Sequence, residues 1–238
     1  MKNIPAALLA LGLIVGAGEA AAHGAPVPAY GGQVTTAGDL HVEFAVRDGG
    51  LRVWVRDHAD KPVAATGKAA LLLAGRKLDV PLAAGGPALI GDAPVQAGDK
   101  LTAVLSLMVE GKPVSARFAQ EAVVVPALAG AARNGAQVFA NACAACHGAA
   151  LRGSDAGPPL LHPYYALGAG HGDDIVLSAI AKGAASHHWK FGDMPKPDGV
   201  KPGQEAELLA YVRAMQAANG LGATPSSAPA ANPHVGHH

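Results

Sequence analysis

Aromatic side chains are scarce in this sequence: Phe, Trp and Tyr together make up 4% of 238 residues. A core of Ala, Val and Leu has little bulk and leaves room for a bound group to supply packing. Cysteine is scarcer still, with two in the chain, Cys143 and Cys146. A disulfide closing so short a loop restrains little of the unfolded chain, so a disulfide scaffold is excluded. Charge of one sign is also missing, since 18 Lys and Arg balance 18 Asp and Glu. Without a basic excess, neither nucleic acid nor an anionic membrane surface is expected as a partner.

Long apolar runs are absent beyond the first residues. Lys2 is followed by the uncharged run Ile4 to Ala17, then by Glu19 and the small residues Ala20, Ala21 and Ala22. This order reads as a signal peptide over residues 1–22, with cleavage after the small residues. The run is shorter than the ~20 apolar residues of a spanning helix. An uncleaved anchor is the competing reading. The mature chain is expected to be periplasmic, with no stable membrane insertion once the leader is removed.

What the chain does have is two textures. Residues 23–125 alternate apolar runs with turn signals. Leu40, Val42, Phe44 and Val46 share one parity, with His41 and Glu43 on the opposite, exposed face. Leu51, Val53 and Val55 repeat the pattern after Arg47-Asp48-Gly49-Gly50. Further runs at 69–74, 77–82, 101–109 and 114–118 bring the expectation to about seven short strands in an all-β sandwich. Residues 126–132 form a Pro/Ala/Gly linker. The period then becomes helical, with helices expected at 134–145, 173–182 and 204–216 inside a second domain, 133–219. A long Gly/Pro loop, 148–170, separates the first two helices, and wrapping a large planar ligand is one reason for such a loop. Residues 220–238 read as a disordered tail carrying His234, His237 and His238.

The chemistry concentrates at Cys143-Ala144-Ala145-Cys146-His147, the C-x-x-C-H pattern of covalent haem attachment. Cysteines three apart on a helical turn face one side and can each form a thioether with a porphyrin vinyl group. His147 then stands beneath the iron as proximal ligand. A zinc site would require more Cys or paired His. A thioredoxin-like pair would follow a strand in a βαβ unit, and no such unit precedes this motif. The expected cofactor is therefore one haem c per chain. For the other axial position the soft donor Met194, beside Pro195, is the first candidate. His187 and His188 compete with it, and a buried filler role for Met194 stays open. Met215 reads as helix core, and Met108 belongs to the β-domain.

These residues, with their neighbours, make 132–217 resemble the class I, mitochondrial-type cytochromes c. Gly135 with Phe139, and Leu208 with Tyr211, match the small and aromatic positions at which that family's terminal helices cross. Gly157-Pro158-Pro159-Leu160 resembles the family turn whose proline carbonyl accepts from the proximal histidine. The resemblance thus implies that Pro158 orients His147 and that His147 and Met194 ligate the iron. Ile180, Gly183 and Met194-Pro195 follow in the family order. An insert, 161–172, departs from the family pattern.

The implied function is one-electron transfer between a redox protein donor and acceptor, as a carrier rather than an enzyme or as the cytochrome subunit of a larger oxidoreductase. Two alternatives come from other classes. One is copper binding or tolerance, for which His23 as mature N-terminus, His58 near Asp57, and the C-terminal histidines are candidate ligands. The other is a haem sensor or enzyme with an open distal site.

Overall fold

The structure is a computed structural model, and it describes residues 26–167 and 169–222. The expected leader at 1–22, His23, and most of the tail with His234, His237 and His238 lie outside the described residues.

Eight antiparallel strands build the first half: β1 (Gln33–Ala37), β2 (Leu40–Arg47), β3 (Gly50–Arg56), β4 (Ala65–Leu73), β5 (Arg76–Gly85), β6 (Ala88–Asp92), β7 (Leu101–Val109) and β8 (Lys112–Gln120). Their order across the sheet is β1-β2-β3-β6-β5-β4-β7-β8. The layers expected of a sandwich are two halves of one continuous, barrel-like sheet. They are joined through β5, which pairs with β4 over its first residues and with β6 over Ala83, Ala84 and Gly85. The sheet bends back on itself to bury the shared parity of its strands. Val42, Phe44, Val53 and Val55 from one half meet Leu71, Leu105, Leu107 and Phe118 from the other. Phe44 stacks on Phe118 with ring centroids 5.0 Å apart.

Alternation predicts the inner face correctly and the outer face wrongly. Glu43, expected to be exposed, has 0% of its surface accessible, and β2 is buried on both faces along most of its length. The segment before β1 folds across this outer face. Glu43 accepts from the backbone N–H of Ala29 (2.7 Å), Tyr30 (2.8 Å) and Gly32 (2.9 Å), and from Arg56 Nη2 at 3.1 Å. These four donors explain how a carboxylate is tolerated there. Arg56 is itself buried and also donates to Asp60 and to the Val27 carbonyl.

The second half is helical: α1 (Gly130–Ala142), α2 (Ala144–His147), α3 (Asp173–Lys182) and α4 (Gln204–Ala218). Helix α1 begins within the expected linker and stops at Cys143, where the chain makes a separate short turn through His147. The long loop after it contains a 3₁₀ turn at Pro163–Tyr165. No helix among the described residues is long and apolar enough to cross a membrane.

The halves touch. Arg47, 5% exposed, donates to the Arg152 carbonyl and to the Tyr30 carbonyl, each at 3.0 Å. Arg52 grips Asp155 through Nε and Nη2. Lys190 N–H donates to the Ala29 carbonyl at 2.9 Å, and Tyr30 meets Phe191 edge to face. The β-domain thus braces two loops of the helical half.

Burial separates these ion pairs in energy. Glu43→Ala takes one of two carboxylate partners from buried Arg56, leaves three backbone N–H groups without their acceptor, and is expected to cost about 3–5 kcal/mol. Arg52→Ala breaks a pair whose Asp155 is largely exposed and should cost at most about 1 kcal/mol. Denaturant unfolding of the two variants checks the contrast, and equal losses would contradict it.

Candidate haem site

The site starts from a helix crossing. Helix α1 runs against α4 where Gly135 meets the backbone of Glu207. A Cβ at Gly135 would lie 1.9 Å from the Glu207 carbonyl oxygen, so only glycine permits the approach. One turn on, Phe139 meets Tyr211 with centroids 5.2 Å apart, and Leu208 and Met215 are buried in the same cluster. Met215, at 1% exposure, is core as expected, while Met108 is 46% exposed on β7.

Beneath this crossing lies a cavity whose walls include Phe139, Val176, Ile180, Leu208 and Val212. The structure brings Cys143, Cys146, His147, Pro158 and Met194 to it. The end of α1 and the α2 turn place the first three. Cys146 and His147 N–H both donate to the Cys143 carbonyl, which tightens the turn. Both cysteines are free thiols. Burial, aided by the neighbouring Cys146, pushes the Cys143 thiol up to about 11. A thioredoxin-type nucleophile requires the opposite shift.

His147 is buried, and its Nδ1 lies 2.9 Å from the Pro158 carbonyl. A carbonyl only accepts, so Nδ1 carries the proton and Nε2 keeps its lone pair. Burial lowers the His147 pKa, partly opposed by the Pro158 bond. A neutral imidazole with its second nitrogen free is what an iron ligand requires. Two thiols, this imidazole, a thioether and apolar walls fit a haem.

Met194 is held by its backbone. It exchanges two hydrogen bonds with Ala184, at 2.9 and 2.8 Å, just past the end of α3. Gly183 turns the chain there at φ +82°, and a Cβ on it would lie 2.5 Å from the Met194 carbonyl. The order Ile180, Gly183, Met194 therefore reflects one local structure.

Two wall residues, Tyr165 and His171, come from the insert and escaped sequence reasoning, as did the contacts that hold them. Trp189 Nε1 donates to Tyr165 Oη at 2.8 Å. Arg213 on α4 donates to the carbonyls of Tyr165 and His171. His162 accepts from Tyr164 N–H, and burial, with His188 nearby, lowers its pKa to about 4. The one available signal was the density of aromatic and His residues between 162 and 171. His187 and His188 are exposed and also line the cavity. In the β-domain, His41 and His58 meet edge to face at 5.9 Å, and His58 lies 3.5 Å from Asp39. Among the described residues, neither belongs to a group of three converging metal donors.

Gly135→Ala tests the crossing. Its methyl meets main chain rather than a movable side chain, so the helices must separate. The expected loss is at least about 1–3 kcal/mol in denaturant unfolding, against a neutral result if the helices were loosely apposed.

Residues 132–216 match the Cytochrome c family model. No curated protein matches the chain. With the helix crossing, the C-x-x-C-H turn and the Pro158-bound histidine in one cavity, residues 132–216 are a cytochrome c domain, preceded by a β-rich domain whose strands span 33–120.

Proposed function

We propose that this protein is an exported, periplasmic electron carrier holding one haem through thioethers at Cys143 and Cys146. His147 and Met194 would ligate its iron. The observation that carries the reading is the His147–Pro158 hydrogen bond inside an apolar cavity that Met194 also lines. One haem per chain follows from the single C-x-x-C-H motif and the absence of further cysteines. Export is supported by the order of Lys2, the apolar run and Ala20 to Ala22.

When bound, haem supplies an iron that changes oxidation state by one electron. The chain keeps the cost of that change small. Pro158 fixes the His147 ring and raises its basicity. The Ala184–Met194 backbone pair fixes the loop that presents the thioether. Aliphatic and aromatic walls exclude water, which limits solvent reorganisation and favours the less charged reduced state. With His147 and Met194 both holding the iron, the protein would leave it no open position for a substrate. The β-domain, by holding Arg152 and Asp155 from outside, steadies the loop that carries Pro158.

Two substitutions test the axial assignment. Met194→Ala should lower the midpoint potential and let the ferrous protein bind carbon monoxide. Met215→Ala should instead cost about 2–5 kcal/mol of stability and leave the potential unchanged. Rapid carbon monoxide binding by the unaltered protein would contradict the reading and favour an open-site sensor or enzyme.

A further inference from the structure

His171, His187 and His188 come from two separate segments, the insert and the loop before Met194. Each offers one ring nitrogen, and the three nitrogens lie within 4.8 Å of one another. Among the described residues they are the one such group. His171 Nε2 and His187 Nε2 are 3.3 Å apart. Two nitrogens at ~2.0–2.1 Å from one tetrahedral zinc lie roughly 3.3 Å apart, so this pair already spans one edge of such a site. His188 is exposed, its ring centroid is 4.2 Å from that of His187, and one of its nitrogens lies within 4.8 Å of both others.

The surroundings hold these rings in place. Arg213 Nη2 donates to the His171 carbonyl, and the Tyr165 ring lies against the His171 imidazole. The His187 Nδ1 is 2.9 Å from the Ala185 carbonyl, so this nitrogen carries the proton and the lone pair of Nε2 is turned to His171 Nε2, where a metal ion would replace the proton between them. Ser186 flanks the pair, bonded to Asp193 through its N–H and to the Trp189 carbonyl through its hydroxyl. Trp189 in turn is tied to Tyr165 on the insert. Both segments are thus stitched together behind the rings, and the bond from His187 to the Ala185 carbonyl is the kind of outer-shell partner that metal-binding imidazoles use.

We propose that His171, His187 and His188 form a second metal site, at the rim of the haem cavity, for a divalent d-block cation of zinc type with an open fourth position. Three imidazole nitrogens suit zinc, or copper(II), over calcium or magnesium. The proposal rests on Met194, rather than one of these imidazoles, completing the iron ligation.

Calorimetric titration of the haem-loaded protein with zinc chloride at neutral pH tests it. One zinc should bind per chain, and His171→Ala or His187→Ala should weaken it at least about tenfold. His41→Ala and the double change His237→Ala/His238→Ala should leave it intact. Zinc binding unchanged in His171→Ala and His187→Ala, or abolished by the tail substitutions, overturns this inference alone. If those variants alter the haem spectrum of the zinc-free protein, an imidazole ligates the iron, and both this inference and the Met194 assignment fall.

Discussion

A histidine that donates Nδ1–H to a main-chain carbonyl has one tautomer, one ring orientation and one nitrogen left to use. The bond from His147 to Pro158 imposes this, and much of the helical half is arranged around it. Helix α1 must stop at Cys143 for the next turn to present His147 to the cavity. The following loop must double back to bring Pro158 under the ring. It does so with Gly153 N–H donating to the His147 carbonyl, and with Leu160 and Leu161 N–H both donating to the Leu151 carbonyl. That long loop is therefore folded around a residue, not merely around empty space.

The same constraint explains the β-domain's position. A loop rich in Gly and Pro has few internal contacts and is prone to move. Here Arg47 and Arg52 reach from the sheet to Arg152 and Asp155 inside it. Arg47 is almost wholly buried, and its burial lowers its pKa although Asp155 and Glu43 stand near. Glu43 anchors the segment of residues 29–32, whose Ala29 and Tyr30 touch the loop at 190–191 on the other side of the cavity entrance. One buried carboxylate in the sheet thereby connects to both loops that frame the haem site.

Local signals were readable where local physics decides the outcome. The bounds of α3, the start of α4, the inner parity of β2 and β3, and the C-x-x-C-H turn all follow from periodicity or from fixed motif spacing. Gly135 was legible because a close helix approach demands a specific residue type. Glu43 was not, because the strand that carries it alternates normally. Its burial depends on a segment of chain that folds over from outside. Strands β1 and β6 were obscured because each is five residues long and shows no clear apolar alternation, and both are held by pairing with their neighbours. The three-histidine cluster joins residues 171 and 187–188 from either end of α3, and pairwise spacing carries no signal for such a contact.

Met194, the proposed thioether donor to the iron that His147 would also hold, is reported on directly by its methyl resonance. The chain has four methionines. In reduced protein labelled at the methionine methyl groups, a methyl lying over the porphyrin face is shielded by its ring current and moves far upfield. The account predicts one such resonance, lost in Met194→Ala and kept in Met215→Ala and Met108→Ala. No upfield methyl in the unaltered protein, or one that survives Met194→Ala, would contradict it.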